Sequence, residues 1–258
     1  GMKFEDLDAD GTKDGGEPGL DDVTIYLLSA DGTSTIATTT TANGGLYEFT
    51  GLIPGTTYLV CEQDVSGIPP GWDQSAPANT VCAGVTAEAV EPGGYQVTLG
   101  SGELEGDNDF GNYRQGIKSG YKWHDLDADG VWDKPGEPGL NDWTIELYDA
   151  QGALLATTVT ADDTSGDPGY YEFTLDPGTY TVKEVCQPDW LQSYPTPTAG
   201  CGTGVHDFTI ASGDDTNHRD NDFGNYQPAT KTGMKFEDLD ADGIKDGGEP
   251  GLDGWTTI

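Results

Sequence analysis

The sequence contains the stretch DLDADGTKDGGE at residues 6–17, and two close copies follow it, DLDADGVWDKPGE from Asp125 and DLDADGIKDGGE from Asp238. Oxygen-bearing side chains occupy positions 1, 3, 5, 9 and 12 of the first copy, and glycine occupies position 6, where a calcium loop turns sharply. Hard oxygen ligands suit Ca²⁺ better than zinc or copper, which prefer nitrogen and sulfur. The spacing therefore predicts a repeat protein built around calcium sites.

The differences between the copies support the metal interpretation. Position 7 of such a loop binds the ion through its backbone carbonyl, so its side chain is free to vary. It is Thr12, Val131 and Ile244 in the three copies, whereas the aspartates and the glycine do not change. A solvated acidic turn, the alternative interpretation, gives no reason for this selective tolerance. The second copy has one extra residue, so its last ligand, Glu137, falls at position 13 and its coordination is in question.

The predicted ligands follow from this spacing. They are Asp6, Asp8, Asp10, Thr12, Asp14 and Glu17 in the first loop, Asp125, Asp127, Asp129, Val131, Asp133 and Glu137 in the second, and Asp238, Asp240, Asp242, Ile244, Asp246 and Glu249 in the third.

The charge of the chain limits its partners. Its 258 residues include 11 Lys+Arg and 46 Asp+Glu, a formal net charge of −35. This excess argues against nucleic acid and against an anionic membrane surface, because no basic cluster is present to neutralise phosphates. Part of the charge belongs to the loops, which repel themselves without a cation, and the rest suits solubility or a high-salt habitat. No apolar run is long enough to span a membrane, so we expect no membrane insertion in this segment.

The repeats are long. Periods such as those from Asp6 to Asp125 and from Asp125 to Asp238 indicate tandem domains rather than a solenoid of short units. The sequence opens directly on a repeat without a signal peptide, so we expect a window of a longer array. The predicted domains are 1–116, 117–230 and an incomplete third unit at 231–258.

Short β-type runs alternate with turns rich in Gly, Pro, Asn and Asp, and no window keeps a helical period. Strands are predicted at 2–5, 23–28, 34–41, 46–50, 57–62, 94–99 and 108–113, and again at 121–124, 143–148, 153–160, 170–174, 179–185, 205–210 and 221–226. Seven strands per unit predict an all-β fold of tandem, seven-stranded β-sandwiches with Greek-key-like connections. The Pro and Gly after each loop exclude the flanking helix of an EF-hand, so the sites suit stiffening rather than a switch.

The four cysteines fall as one pair per full repeat, Cys61 with Cys82 and Cys186 with Cys201. No Cys/His spacing typical of zinc is present. Pairs of this kind in an acidic, calcium-type chain predict an oxidising compartment and two disulfides within the repeats. Each disulfide would be worth on the order of 3 kcal/mol. Free buried thiols are the alternative.

The run G-[MY]-K-[FW]-x-D-L-D-A-D-G, followed by G-E-P-G-L, P-G-T-Y-x-V-x-E and D-N-D-F-G-N-Y, resembles the SdrD B-like domains. These are calcium-binding relatives of the Cna B-type (transthyretin-like or prealbumin-like) sandwiches of bacterial and archaeal surface proteins. The resemblance covers both full units and the opening of the third. It implies an extracellular, surface-attached stalk or adhesin in which the B-type units act as spacers.

The resemblance also implies that the last strand of a unit lies near the first. The D-N-D-F-G-N motifs would then bring a second set of carboxylates towards the loops and complete a further Ca²⁺ site. This set is Asp107 and Asp109 in the first unit, and Asp220 and Asp222 in the second. A polar turn that ends in a buried phenylalanine is the alternative.

One lysine holds the same place in every copy, as Lys3, Lys122 and Lys235. Cna B-type relatives can join a first-strand Lys to a last-strand Asn by an amide (isopeptide) bond, with a nearby Glu assisting proton transfer. The resemblance implies the candidates Lys3–Asn112 with Glu62 and Lys122–Asn225 with Glu184. The alternative is a lysine that pairs with Glu or reaches the surface along its aliphatic stem.

These features favour a structural, calcium-stiffened tandem-repeat segment of an extracellular stalk, adhesin or filament. Its expected partners are neighbouring repeats or copies of itself, joined head to tail, for which strand donation is a natural mechanism. The alternative is a carbohydrate- or protein-binding adhesin module in which Trp72 and Trp190 stack on sugars, although a packing role also fits their recurrence. We do not expect an enzyme, because no Ser/His/Asp or Cys/His pattern is present and the metal explains the paired carboxylates.

Overall fold

The computed structural model describes residues 1–67, 71–195, 202–214 and 221–255. The chain forms two compact units, Gly1–Tyr226 and Gln227–Ile258. Every named element within the described ranges is a β-strand. None of the described residues forms a helix with the length and apolarity needed to cross a membrane. The all-β prediction is confirmed.

The first sandwich has seven strands in two sheets. They are β1 (Lys3–Glu5), β2 (Thr24–Ser29), β3 (Thr35–Thr40), β4 (Thr57–Gln63), β5 (Asp73–Ala76), β6 (Val90–Thr98) and β7 (Phe110–Tyr113). One sheet has the order β3-β2-β4-β6 and the other the order β1-β7-β5. The chain therefore crosses between the sheets four times, before β2, β5, β6 and β7.

The second sandwich repeats this plan with eight strands. They are β8 (Gly116–His124), β9 (Thr144–Asp149), β10 (Leu154–Val159), β11 (Tyr170–Leu175), β12 (Gly178–Glu184), β13 (Leu191–Tyr194), β14 (Val205–Ile210) and β15 (Phe223–Tyr226). Its sheets have the orders β10-β9-β12-β14 and β11-β8-β15-β13.

The first and last strands of each sandwich pair in parallel. Lys3 lies opposite Phe110 and Glu5 opposite Asn112, while Lys122 lies opposite Phe223 in the second sandwich. Side chains alternate between the two faces of a strand. Each lysine therefore shares the inner face with the asparagine two residues beyond its partner.

Apolar side chains from the inner faces fill each sandwich. In the first, Ile25, Leu27, Val60, Val97 and Phe110 form a buried cluster. The second core contains the corresponding set Ile145, Leu147, Val182, Phe208 and Phe223, with Trp143 added, and Tyr47 and Tyr171 hold equivalent places in the two cores. Buried and more exposed residues alternate with the strand period of two in β11 and β14, whereas β4 is buried over five consecutive residues.

The predicted strand at 46–50 is wrong. Its counterpart β11 pairs with the first half of β8, which precedes Lys122. Leu46 forms isolated bridges to Met2 and Ala42 instead of a strand, and the Tyr47 amide donates to the Gly1 carbonyl at 3.0 Å.

The prediction also omitted β5 and β13. Both are short and rich in polar residues, DQSA and LQSY, and therefore carry little intrinsic strand preference. They are strands because each pairs antiparallel with the last strand of its sandwich. Such long-range pairing is not visible in local sequence.

The unit Gln227–Ile258 begins in the same way as the first sandwich. Phe236 forms a bridge to Gly251, and the Leu252 amide donates to the Lys235 carbonyl at 2.8 Å. Phe4 and Gly19 form the corresponding bridge in the first sandwich. The domain limits at residues 116 and 230 remain predictions.

Candidate functional site: acidic loops and buried lysine triads

The first acidic loop leaves the end of β1 and gathers its aspartates. One carboxylate oxygen from each of Asp6, Asp8 and Asp10 lies within 4.8 Å of the others. Asp6 is buried, whereas Asp8 and Asp10 are exposed. The turn is made at Gly11, whose φ of 78° favours glycine, and whose amide donates to Asp6 Oδ2 at 2.8 Å. This hard, anionic oxygen set fits Ca²⁺.

The second loop has the same arrangement despite its extra residue. Asp125, Asp127 and Asp129 form the corresponding cluster. The Glu137 carboxylate accepts the amides of Leu126 at 2.7 Å and Asp133 at 3.0 Å. Its position in the loop is therefore set by the bonds it accepts, whatever the count of residues before it.

The same bonds recur in the other loops. Glu17 accepts the amides of Leu7 at 2.7 Å and Asp14 at 2.9 Å, and Glu249 accepts that of Leu239 at 2.7 Å. The insertion thus leaves Glu137 in the place of Glu17, and coordination by Glu137 remains a prediction. All three glutamates are buried.

The third loop forms two overlapping acidic clusters. One contains Asp238, Asp240 and Glu249, and the other contains Asp240, Asp242 and Asp246. The variable position-7 side chains face solvent, since Val131 and Ile244 are 56% and 63% exposed. This is the arrangement expected if position 7 contributes only backbone, although coordination by any of these residues remains a prediction.

The second set of carboxylates is held by the first strand of each sandwich. Asp109 Oδ1 accepts the Met2 amide at 2.7 Å, and Asp222 Oδ1 accepts the Tyr121 amide at 2.7 Å. Asp107 and Asp109 also line a cavity of about 360 Å³ together with Asp10. A further metal site there remains a prediction, and Asp220 lies outside the described residues.

The first lysine triad is assembled in the core. Lys3 Nζ lies 3.2 Å from Glu62 Oε2 and donates a hydrogen bond to Asn112 Oδ1. All three side chains are at most 1% exposed. Among the described residues, Asn112 Nδ2 has no hydrogen-bond partner. Asn112 Nδ2, the nitrogen that an isopeptide bond would displace, therefore donates no hydrogen bond to any described residue.

The second triad repeats this geometry. Lys122 Nζ donates to Asn225 Oδ1 at 2.7 Å and lies 3.3 Å from Glu184 Oε2. The lysine also donates to the Phe223 carbonyl at 3.0 Å, and its ammonium lies 4.5 Å from the centre of the Trp143 ring. The structure thus brings together all six residues implied by the resemblance.

Burial shifts the pKa values of the lysine and the glutamate of each triad towards each other. It lowers the pKa of Lys3, against the opposing charge of Glu62, and raises the pKa of Glu62 from 4.5 to about 7. It lowers the pKa of Lys122 from 10.5 to about 8 and raises that of Glu184. Each pair therefore approaches the state in which the amine is neutral and the carboxyl is protonated.

One functional residue escaped the sequence analysis. Gln74 Nε2 donates to Glu62 Oε1 at 2.6 Å, and its carbonyl oxygen accepts the Gly93 amide at 2.7 Å. The available signal was the recurrence of W-x-Q-S in both repeats, as WDQS and WLQS. Gln192 at the second position is buried and instead bonds Gly204, at 3.1 Å and 2.8 Å.

The first of the two predicted disulfides is present. Cys61 and Cys82 form a disulfide with a Cα–Cα distance of 6.1 Å. It joins β4 to the segment that leads into β6, and both half-cystines are buried. The other predicted pair includes Cys201, which lies outside the described residues.

The recurring tryptophans make contacts within the chain. The Arg114 guanidinium lies over the Trp72 ring, 4.9 Å from its centre. The Trp190 ring packs edge-on against Trp143, with centroids 5.4 Å apart, and against His124 at 4.7 Å. Both indoles are half-buried. These contacts favour the packing role over sugar stacking.

The sequence matches the SdrD B-like domain over residues 2–112 and 119–223. It is 31% identical to serine-aspartate repeat-containing protein F of Staphylococcus epidermidis, over 97% of this chain and 15% of that protein. It is 31% identical to serine-aspartate repeat-containing protein D of Staphylococcus aureus, over 98% of this chain and 18% of that protein. The chain thus spans less than a fifth of these relatives, and the predicted resemblance is confirmed.

Solved structures give weaker likenesses. The minor pilin of Streptococcus agalactiae is 15% identical with a TM-score of 0.32, over 91% of this chain and 98% of that chain. The shaft pilin SpaA of Lactobacillus rhamnosus GG is 12% identical with a TM-score of 0.30, over 90% and 97%. The fold described above rests on the strand pairing of the chain itself.

Proposed function

The chain belongs to the SdrD B-like domain family, and on that premise we propose that it is a structural segment of an extracellular surface stalk or filament. Each sandwich acts as a spacer, with neighbouring repeats or further copies as its partners. Two devices tie the first strand of a sandwich to the rest: a calcium loop that follows the strand, and a buried amide bond that starts from its lysine.

Calcium would be held by the aspartates of each loop, with the buried glutamate at the loop end. When bound, the ion supplies positive charge that offsets the mutual repulsion of the clustered carboxylates. The chain itself contributes the amides that orient Asp6 and Glu17. A loop preorganised in this way stiffens the exit of the first strand.

The observation that carries the proposal is the pair of assembled triads. The neutral Lys3 amine attacks Asn112 Cγ, Glu62 passes the displaced proton to Asn112 Nδ2, and the C–N bond breaks to release ammonia. The product is an amide between Lys3 Nζ and Asn112 Cγ, and no oxidant or other reactant is required. Lys122, Asn225 and Glu184 support the same reaction in the second sandwich.

The position of the bond explains why a stalk would use it. The chain enters each sandwich at its first strand and leaves at its last, and these are the strands that the lysine and asparagine occupy. A tension applied to the two ends would then pass through the amide rather than through the hydrogen bonds of the sheets. A covalent bond does not yield under loads that separate strands.

The mass of the intact, reduced chain tests the proposal. Each amide releases one ammonia, so we expect a deficit of about 17 Da per bond, removed one bond at a time by Glu62→Gln and Glu184→Gln. Peptide mapping should find Lys3 joined to Asn112 and Lys122 joined to Asn225. A chain of unmodified mass after folding in calcium would overturn the cross-link and leave the lysines as ion pairs.

A further inference from the structure

The lysine strand lies between β7 and the segment that leaves the acidic loop. On one side, β1 pairs with β7 over three residues only. On the other side, the segment leaving the loop returns to it: the Glu5 amide donates to the Pro18 carbonyl at 2.9 Å, and the Leu20 amide donates to the Lys3 carbonyl at 2.8 Å. The loop must therefore close for β1 to have both neighbours.

The first aspartate of the loop also holds the reactive asparagine. The Asp6 amide donates to the Asn112 carbonyl at 2.9 Å, and the Asp125 amide donates to the Asn225 carbonyl at 2.8 Å. The side chains of the same two aspartates belong to the acidic clusters of their loops. One residue thus connects the metal loop, through its side chain, to the amide-forming pair, through its backbone.

In the second sandwich, the segment that leaves the acidic loop makes the same connections to the lysine strand β8. The His124 amide donates to the Pro138 carbonyl at 2.9 Å, and the Leu140 amide donates to the Lys122 carbonyl at 2.8 Å. Independent recurrence in both sandwiches shows that the arrangement belongs to the fold and not to one local sequence.

A loop without its cation would weaken this alignment. Three carboxylates within 4.8 Å of one another repel, and the repulsion favours an open loop. Opening would remove the hydrogen bond that Glu5 donates to Pro18 and the one that Leu20 donates to Lys3, and it would release the Asp6 amide from the Asn112 carbonyl. In the first sandwich the lysine strand would then keep the three-residue β1–β7 pairing, the bond from the Lys3 amide to the Gly45 carbonyl and the Met2–Leu46 bridge, a short pairing of marginal stability. In the second sandwich β8 would also keep its six-residue pairing with β11.

We propose that calcium binding at each loop controls formation of the amide bond in the same sandwich, and that the finished bond keeps the first strand docked when calcium is later removed. The inference rests on the cross-link proposed above and adds its regulation. Calcium acts as an assembly signal: a chain kept in a calcium-poor compartment stays unlinked, and it becomes cross-linked on meeting calcium.

Refolding of the unlinked chain tests this control. The full chain is purified unfolded in urea, its unmodified mass is verified, and it is diluted into buffer with either CaCl₂ or EGTA. The mass deficit is then followed with time. We expect bond formation to be about 100-fold slower in EGTA, the cost of misplacing reacting groups by about 1 Å. Addition of CaCl₂ to the EGTA sample should restore the fast rate.

The two sandwiches provide matched controls within one molecule. The double variant Asp8→Ala/Asp10→Ala removes exposed carboxylates of the first loop only, and Asp127→Ala/Asp129→Ala does the same in the second. In calcium, peptide mapping should show slow Lys3–Asn112 formation in the first variant with normal Lys122–Asn225 formation, and the reverse in the second. The Cys61–Cys82 disulfide should still form in both variants, which would show that β4 and its neighbours have folded.

The possible outcomes distinguish the cross-link itself from its control by calcium. Equal rates in CaCl₂ and EGTA would overturn the calcium control and leave the cross-link standing. No mass deficit in either buffer would overturn both. If the Cys61–Cys82 disulfide also failed to form in Asp8→Ala/Asp10→Ala, the absence of the Lys3–Asn112 bond in that variant would reflect misfolding. The rates of the natural sequence in CaCl₂ and in EGTA would then decide whether calcium controls the bond. Loss of β1 protection in EGTA after bond formation, measured by hydrogen exchange, would overturn the second half of the proposal.

Discussion

Lys3 and Lys122 are ionisable side chains in apolar surroundings, and each faces a buried carboxyl group. Burying two opposite charges costs several kcal/mol per ion, and their attraction repays this only with good geometry. Transfer of one proton from the lysine to the glutamate gives a neutral pair with the same total number of protons. That neutral pair is also the reactive pair, because it contains a free amine and an acid.

The rate of amide formation should depend on pH as a bell-shaped curve. Below about 7, the raised pKa of Glu62, the carboxyl keeps its proton and Lys3 is left as an ammonium ion without a base. Above about 8, the lowered pKa of Lys122, the lysine amine is neutral without having passed its proton to Glu184, and the pair loses the proton that the reaction must transfer. We therefore expect the Lys3–Asn112 rate to fall about ten-fold per pH unit on the acid side.

Timed mass measurements on the refolding chain in calcium, over a series of pH values, would give both curves. A rate that rises steadily to pH 10 would contradict the role of the glutamates as proton donors.

Gln74 should act as a positioning residue for the first triad. Its hydrogen bond to Glu62 stabilises the carboxylate and so lowers the pKa of Glu62. In Gln74→Leu, that pKa should rise further, and the acid limb of the Lys3–Asn112 rate should move to higher pH. The Lys122–Asn225 bond of the same molecule is the control. If the Lys3–Asn112 rate fell equally at every pH and the acid limb of its pH profile stayed in place, Gln74 would have only a structural role.

At the level of the strands and loops, local sequence predicted what local chemistry controls. The acidic loops were visible because their ligands lie within one short stretch. Residues 46–50 were predicted as a strand because they favour one locally, but in the structure Leu46 makes only isolated bridges, since a strand also requires a continuous partner. The triads needed the family resemblance, because Lys3 and Asn112 meet only through the pairing of strands far apart in sequence.

Removal of calcium should destabilise the sandwiches. Extracellular modules bind Ca²⁺ with Kd of roughly 10⁻⁴ to 10⁻³ M, and a site at about one hundred times its Kd contributes about 2.7 kcal/mol. For a domain of this size we expect a chelator to lower the melting temperature by at least about 10 °C. Calorimetry in CaCl₂ and in EGTA measures the change, with MgCl₂ as the control cation. A melting temperature that is the same in CaCl₂ and in EGTA would count against stabilisation by calcium.

Glu137 should be a full ligand of the second loop. The Trp132 indole Nε1 donates to the Glu137 carbonyl at 3.0 Å, whereas the other loops carry Lys13 and Lys245 at that position. Excitation of Trp132 should therefore report Tb³⁺ bound in this loop through energy transfer. We expect Glu137→Gln to weaken Tb³⁺ binding about ten-fold. Glu17→Gln should leave this signal unchanged, and an unaltered affinity in Glu137→Gln would show that the glutamate only accepts backbone amides.

The whole molecule carries a formal net charge of −35, which opposes any compact, ordered row of domains through self-repulsion. Each Ca²⁺ bound as proposed would cancel two of these charges within an acidic loop. It would thereby reduce the repulsion within its sandwich, and the first loop also adjoins the connection to the second sandwich. The proposed calcium sites would then contribute to both the stability and the stiffness of the segment.

The connection between the two sandwiches of Gly1–Tyr226 is made of specific bonds. Glu5 accepts hydrogen bonds from Arg114 at 2.9 Å and from the Ser212 hydroxyl at 2.8 Å. The Ser212 amide donates to the carbonyl of Leu7, within the first acidic loop, at 2.9 Å. A residue of the second sandwich thus contacts both the end of β1 and the metal loop of the first.

This connection should behave as a rigid joint that Arg114→Gln loosens. The substitution removes the ion pair with Glu5 and the contact with Trp72, at a cost of roughly 1 kcal/mol, while both sandwiches stay folded. Nitrogen-15 relaxation should show one rotational correlation time for the two sandwiches in calcium and two separate, shorter times in the variant. Glu103→Gln, an exposed change elsewhere, is the control. Because Leu7 lies in the first loop, Asp8→Ala/Asp10→Ala should loosen the joint as well; tumbling as one body in both variants would show that the two-residue connector alone fixes the geometry.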